Sequence, residues 1–96
     1  MMTALFEPGH GYELNPAVAL RPEPFGALAY HFGTRRLSFL KSPDLVQLVR
    51  GLDAHRCARD ALAGLPAGRR DLYLRALAAL AESDMIVPQE DRSEAP

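Results

Sequence analysis

The sequence predicts an α+β fold, in which a three-stranded antiparallel sheet is followed by a three-helix, winged-helix-like bundle. Three observations carry this prediction. Large and small side chains alternate over residues 26–40, which is the period of a β-strand. After Leu40 the apolar residues recur at helical spacing instead. Glycine and proline residues divide the apolar sequence after Leu40 into three segments, which correspond to the three predicted helices. With 96 residues, the chain is long enough for one domain with a single core.

The segment before the sheet is predicted to be a flexible arm, residues 1–11, because it is rich in glycine and proline. The folded domain is predicted to span residues 12–87. Residues 12–15 can pair briefly before Pro16, and residues 17–21 form the first strand of the meander. We expect that strand to stop at Pro22.

The central element is a hairpin around Gly33-Thr34, and a two-residue loop with glycine first is typical of a type II′ turn. This turn pairs Phe32 with Arg35, Tyr30 with Leu37, Leu28 with Phe39, and Ala27 with Leu40. One face of the hairpin is then apolar and carries Leu28, Tyr30, Phe32, Leu37 and Phe39. The other face carries Ala29, His31, Arg36 and Ser38. Since two strands alone are marginally stable, we expect the following helices to cover the apolar face, with Phe39 in the core.

The first helix begins with clear signals. Ser42 is a favoured N-cap, Pro43 suits the first helical position, and Asp44 complements the positive end of the helix dipole. Gly51 marks its end. The apolar residues between them lie at helical spacing: Leu45, Val46, Leu48, Val49 and Leu52.

Two more helices follow. The second is predicted over residues 56–63, with Ala58, Ala61 and Leu62 facing inward. The third is predicted over residues 69–82, with an apolar stripe of Leu72, Tyr73, Ala76, Leu77 and Leu80. Residues 85–87 are extended, and residues 88–96 are predicted to be a disordered acidic tail.

The composition excludes several classes of function. The net charge of −1 provides no overall attraction to nucleic acid or anionic lipid. Cys57 is the only cysteine, so an intramolecular disulfide and a cysteine-rich zinc site are excluded. The N-terminus lacks the features of a signal peptide, and no apolar segment is long enough to span a bilayer. We therefore expect a cytoplasmic protein that does not contact membrane.

The residue types of catalytic and metal sites are present but scattered. His10, His31 and His55 have no shared spacing, so no metal site is predicted. Cys57 and His55 are two positions apart on a helical segment and do not face each other. No glycine-rich loop suited to phosphate follows a strand. We expect no catalytic residues, no cofactor and no enzymatic activity.

The arginines and lysine near the sheet and the third helix leave three interpretations open. They can be solvated charges, or the rim of an apolar groove suited to a peptide with acidic and hydrophobic residues. They can also be phosphate contacts of a DNA-binding helix-turn-helix. The low net charge and the apolar third helix argue against DNA. The residues concerned are Arg35, Arg36, Lys41, Arg69, Arg70 and Arg75.

The segment from Gly33 to Val49 resembles the PqqD-like peptide-recognition domains. The shared pattern is a glycine turn, an alternating strand, a helix cap and a short apolar helix. The longer segment from Arg21 to Pro43 is similar to the chaperones of mycofactocin precursor peptides, a branch of that family. The close match covers residues 12–52, whereas residues 53–85 match in helix pattern alone.

This resemblance implies a domain without activity of its own, which binds the leader of a ribosomally made precursor peptide and presents it to a radical SAM maturase. In the family, the leader adds as an extra strand at the edge of the third strand, beside the third helix. The resemblance therefore implies the following peptide-binding residues: Arg36, Leu37, Ser38, Phe39, Leu40, Lys41, Leu72, Tyr73, Ala76, Leu77 and Leu80. Taken singly, residues such as Leu72, Leu77 and Leu80 are more often core residues than ligand contacts.

For the partners of the chain, we expect a leader peptide and the maturase, without nucleic acid, and a monomer or weak homodimer. Two alternatives remain. The chain can be a winged-helix DNA-binding regulator, or a subunit that only stabilises its enzyme.

Overall fold

A computed structural model describes residues 6–89 of the chain. The fold is α+β, with a three-stranded antiparallel sheet, a separate two-stranded sheet and a few helices. In chain order the elements are β1 (Tyr12–Leu14), β2 (Val18–Glu23), β3 (Gly26–His31), β4 (Leu37–Leu40), α1 (Pro43–Arg50), a short 3₁₀ helix (Leu52–Ala54), α2 (Ala58–Leu62), α3 (Ala67–Glu82) and β5 (Ile86–Pro88). None of the helices within residues 6–89 is long and apolar enough to cross a membrane.

The larger sheet has the strand order β2-β3-β4, and its hairpin has the predicted register. Ala27 lies opposite Leu40, Leu28 opposite Phe39, and Tyr30 opposite Leu37. Alternation of side-chain size was therefore a sufficient signal for the register.

The predicted type II′ turn at Gly33-Thr34 is wrong. The loop is longer, since the N–H of His31 donates to Arg36 O at 2.9 Å and the N–H of Arg35 donates to His31 O at 2.7 Å. In this loop the residue with positive φ is Arg35, at 64°, whereas a type II′ turn requires positive φ at Gly33. The ring nitrogen Nδ1 of His31 accepts the N–H groups of Gly33 and Thr34, which stabilises the wider loop.

The prediction of which hairpin face is buried is also wrong. The small side chains face the core, with Ala27 and Ala29 0% and 1% exposed. The large side chains that were expected to be covered face solvent, and Leu37 and Phe39 are 56% and 58% exposed. Helix α1 packs against β3 and β4. Alanine side chains allow a helix to approach a sheet closely, which explains why the face with the smaller residues is the buried one.

The prediction that strand β2 stops at Pro22 is wrong, because the strand continues to Glu23. Pro22 lies opposite Ala27 in an edge strand. The N–H of Phe32 donates to Ala17 O. Hydrogen-bonded pairs between β2 and β3 therefore recur at every second residue counted from Ala17, and Pro22 does not belong to such a pair. The missing N–H of the proline therefore faces away from β3, where it costs no ladder hydrogen bond.

The two-stranded sheet brings the ends of the described chain together. Strand β1 pairs with β5, with Tyr12 opposite Pro88. The ring of Phe6 lies 4.9 Å from that of Tyr12, and His10 O accepts the N–H of Ala58 at 2.9 Å. Residues 1–5 of the predicted arm and residues 90–96 of the predicted tail lie outside the described residues.

The helices follow the predicted order with small changes at their ends. Helix α2 begins at Ala58 rather than at 56, because Cys57 at its N-cap has an extended backbone with φ −152°. The 3₁₀ helix earlier in this segment buries Leu52. Helix α3 begins two residues earlier than predicted, after Pro66. The core lies between the helices and the two sheets, and its largest fully buried side chains are Leu40, Leu52, Leu62, Leu77, Met85, Ile86 and Val49.

The predicted cap of α1 is confirmed, because Ser42 Oγ accepts the N–H of Leu45 at 3.0 Å. Replacing Ser42 with alanine should lower the free energy of unfolding by about 1 kcal/mol. Ser42→Asp keeps an acceptor at the cap and should lose less. Urea titration of the three proteins measures both differences, and equal stability of wild type and Ser42→Ala would contradict the role of the cap.

Candidate functional site

The first feature of the candidate site is the outer edge of β4. In the strand order β2-β3-β4 this strand is terminal, and no other strand within residues 6–89 pairs with it. The N–H of His31 bonds to Arg36 O, so bonded pairs with β3 recur at Ser38 and Leu40. The N–H and C=O groups of Leu37 and Phe39 therefore point away from the sheet. They form a free edge that an extended chain can pair with.

The second feature is a groove that begins where β4 ends. Lys41 and Ser42 form one wall with Leu45 of α1, and α3 forms the other. The groove has a volume of about 320 Å³ and is lined by Lys41, Ser42, Leu45, Arg69, Leu72, Tyr73 and Ala76. Leu72 is 59% exposed, so its apolar side chain is available to a ligand.

The polar atoms of the groove form a short chain of contacts. Ser42 Oγ and the Tyr73 hydroxyl are 3.5 Å apart, and Arg69 Nη1 donates to that hydroxyl at 3.3 Å. Arg69 also lies 3.5 Å from Asp44 Oδ2, with both side chains more than half exposed. An exposed pair of this kind is worth little, so Arg69 can exchange Asp44 for a carboxylate of a ligand at small cost.

The third feature is the solvent-facing side of the sheet, which we call the outer face. It carries six large apolar side chains. Four of them are among the exposed large apolar residues of the described chain, namely Phe25, Phe32, Leu37 and Phe39. The other two, Leu28 and Tyr30, are half-buried. The rings of Phe25 and Phe39 meet edge-to-face at 5.8 Å, as do those of Tyr30 and Phe32 at 5.1 Å. An apolar surface of this extent is typical of an interaction site.

The structure brings some of the predicted site residues together and separates others. Residues 36–41 form the free edge and its two ends, and Leu72, Tyr73 and Ala76 line the groove. Leu77 is 0% exposed and Leu80 is 7% exposed, so both belong to the core. Phe39 was expected in the core and lies on the outer face instead.

The sequence interpretation missed several residues that form the groove or the outer face. Ser42 and Leu45 were assigned only to the cap and core of α1, yet both line the groove. Phe25 follows Pro24 and carried no periodic signal, although its ring contacts Phe39. Arg69 was recognised as a basic residue, but its contact with Asp44 was not predicted. The two residues lie on different helices, so their spacing in the sequence does not indicate that they meet.

Groups suited to chemistry are sparse in this region. Within residues 6–89, no three His, Cys, Asp or Glu side chains lie close enough to hold a metal ion. The free edge, the groove and the outer face offer backbone hydrogen bonds, apolar surface and cations. This arrangement is suited to binding an extended peptide.

Comparison with known proteins gives a consistent result. The family model described as the peptide chaperone MftB family matches residues 11–87. Over 87 residues the chain is 52% identical to a protein named Peptide chaperone MftB from Mycobacterium ulcerans (strain Agy99), covering 88% of this chain and 80% of that protein. It is 49% identical, with the same coverage, to the protein of that name from Mycobacterium tuberculosis (strain ATCC 25618 / H37Rv). The protein of that name from Mycolicibacterium smegmatis (strain ATCC 700084 / mc(2)155) is 51% identical over 85 residues, which are 86% of this chain and 83% of that protein. No solved structure matches the chain significantly.

Proposed function

The chain belongs to the peptide chaperone MftB family, and on this premise we propose that it binds the leader of a ribosomally made precursor peptide, the mycofactocin precursor, by β-strand addition. The leader pairs with the free edge of β4, beside the groove, and the domain presents it to a radical SAM maturase. The chain itself catalyses no reaction in this proposal. Its place of action is the cytoplasm, where the precursor is made.

The single observation that carries the proposal is the free edge itself. Leu37 and Phe39 direct four backbone hydrogen-bonding groups away from the sheet, and an apolar groove begins at Lys41, directly after the strand. Each strand hydrogen bond contributes about 0.5–1.5 kcal/mol net, which is less in total than the roughly 8 kcal/mol of a micromolar complex, so buried apolar side chains of the leader must supply the rest.

The groove adds selectivity to the backbone pairing. Side chains of an added strand alternate between two faces, and one of these faces the groove wall formed by Leu72, Tyr73 and Ala76. Lys41 and Arg69 lie in the same groove, which favours a ligand with a carboxylate near its apolar residues.

Two of the arginines that suggested DNA binding, Arg69 and Arg70, have partners within the protein. Arg69 contacts Tyr73 and Asp44, and Arg70 donates to the carbonyl oxygens of Leu65 and Ala63 at 3.1 and 3.2 Å. These contacts join the two guanidinium groups to α3, to α1 and to the link before α3. Nothing in this geometry favours phosphate contacts over peptide binding.

Replacing Phe39 with proline should weaken binding of the leader at least tenfold relative to Phe39→Ala. The proline removes one outward N–H from the free edge and blocks close approach of the leader, whereas alanine changes only the side chain. The bonds between β4 and β3 are unaffected, because the Phe39 N–H does not take part in them. Calorimetric titration with the synthetic leader of a mycofactocin precursor measures the difference.

Thermal melting of both variants checks that the sheet is intact. As an independent arm, leader peptides N-methylated at successive residues should lose affinity with a period of two, since only alternate N–H groups face β4. If Phe39→Pro is folded and binds the leader as tightly as Phe39→Ala, strand addition at this edge is wrong.

A further inference from the structure

The apolar outer face adjoins the free edge directly. Leu37 and Phe39 provide both the outward backbone groups of β4 and two of the most exposed apolar side chains. Phe25 extends this surface through its ring contact with Phe39. Helix α1 packs on the opposite side of the sheet, so it does not cover these side chains.

The geometry of an added strand determines which of its side chains meet this surface. Guest residues opposite Leu37 and Phe39 project onto the outer face, within contact distance of the two apolar side chains. The guest residue opposite Ser38 projects onto the other face, on which α1 packs, and α1 contributes Leu45 to the groove. This alternation holds for a parallel and for an antiparallel guest.

The surfaces on the two sides of the added strand are both apolar. The outer side carries Leu37 and Phe39, and the groove side carries Leu72 and Ala76. An ordinary amphipathic strand, with one apolar and one polar face, would cover only one of them. A guest that covers both needs consecutive apolar residues.

The two ends of β4 are basic. Arg36 precedes the strand, Lys41 follows it, and both are exposed, while Arg69 joins Lys41 at the groove. Four strand residues span about 13 Å, so carboxylates at the two ends of a short apolar segment reach these cations.

We infer, on the basis of the proposed function, that the recognised part of the leader is a run of about four consecutive apolar residues between acidic residues, held by two rows of contacts. Leu37 and Phe39 bind the side chains of one row on the outer face. Leu72 and the groove bind the other row. Leu37 and Phe39 thereby determine specificity through their side chains as well as through their backbone groups.

The test uses fluorescein-labelled peptides of defined sequence and the full chain. The parent peptide carries Leu-Val-Leu-Val between two pairs of glutamates. One variant has serine at the first and third positions of the run, and another has serine at the second and fourth. Fluorescence anisotropy gives their affinities for the wild type, for Leu37→Ser/Phe39→Ser and for Leu72→Ser.

We expect each serine peptide to bind the wild type at least tenfold more weakly than the parent. Leu37→Ser/Phe39→Ser should bind one of the two serine peptides with the same affinity as the parent peptide. Leu72→Ser should bind the other serine peptide with the same affinity as the parent peptide. Replacing the glutamates with lysines should also weaken binding at least tenfold. Ala79→Ser is the matched control, because Ala79 is an exposed residue of α3 that lines neither the groove nor the outer face. This variant should bind the parent normally.

Two outcomes would overturn the inference and differ from each other. In the first, the wild type and Leu37→Ser/Phe39→Ser bind the parent peptide equally well, or the same serine peptide matches the parent with both protein variants. Recognition by two rows is then wrong, while strand addition stands. If the wild type binds neither the parent peptide nor the natural leader, the proposed function fails as well.

Discussion

Replacing Gly26 with alanine should lower the free energy of unfolding by about 3 kcal/mol or more. Gly26 begins β3 with φ 150°, a conformation that residues with a side chain rarely adopt. A Cβ at this position would overlap the carbonyl oxygen of Leu40 and lie 3.0 Å from the backbone nitrogen of Ser42. Both are backbone atoms between β4 and α1, so relief of the overlap must displace the strand or the helix cap.

Gly68→Ala is the matched control for this prediction. Gly68 lies in the first turn of α3, and an added Cβ meets no atom within 4 Å. The substitution should raise the free energy of unfolding by up to about 1 kcal/mol, because alanine loses less backbone entropy in a helix. Urea unfolding followed by circular dichroism gives both values. Equal stability of Gly26→Ala and the wild type would show that β3 and the β4–α1 junction are not packed this closely.

The hairpin shows what alternation in a sequence can and cannot predict. The register was predictable, since a shift by one residue would mix large and small side chains on each face. The buried face was not predictable from the hairpin alone, because both choices satisfy the same pattern. The structure buries Ala27 and Ala29, and α1 supplies the bulky partners through Leu45, Val46 and Val49. Large side chains are more often buried, and this average preference gave the wrong face here.

Other features depend on contacts between distant parts of the chain. Strands β1 and β5 have three residues each, and neither is predictable as a pair without the fold that brings them together. The helix signals at Ser42, Pro43 and Gly51 are local, and the predicted bounds of α1 agree with the structure. The candidate site combines both kinds of information: β4 was predictable as a strand, whereas its position at the edge depends on the whole sheet.

The burial of the small face has a consequence for the proposed function. If Leu37 and Phe39 were buried in the core, a peptide paired with the free edge would have apolar contacts on one side only, at the groove. With these side chains exposed, the edge offers apolar contacts on both sides. Exposing them leaves apolar surface in water that burial would otherwise stabilise by about 1.5–3 kcal/mol per side chain. A partner that covers the same surface recovers part of this free energy on binding.

Replacing His31 with alanine should also destabilise the domain strongly, by about 3 kcal/mol. His31 is 4% exposed, and its Nδ1 accepts the N–H groups of Gly33 and Thr34 at 3.0 and 3.1 Å. Since Nδ1 accepts, the proton is assigned to Nε2, which donates to Asp84 Oδ2 at 3.0 Å. Asn15 donates to the backbone and side-chain oxygens of the same Asp84. Loss of the ring therefore leaves a cavity, two loop N–H groups without their acceptor, and a broken link between the hairpin loop and the turn after α3.

Asp84→Asn separates the contributions of the ring and the carboxylate. Asparagine tolerates the left-handed backbone of Asp84, with φ 65°, and its side-chain oxygen can still accept from Nε2. This variant should lose about 1 kcal/mol, mainly through the missing charge. Amide hydrogen exchange gives a direct measurement of the loop, since the Gly33 and Thr34 amides should exchange faster in His31→Ala and remain protected in Asp84→Asn. The same loop sets the start of β4, so His31→Ala should also bind the leader more weakly while Asp84→Asn binds it normally. A His31→Ala protein with wild-type stability and wild-type exchange at both amides would contradict this role of the histidine.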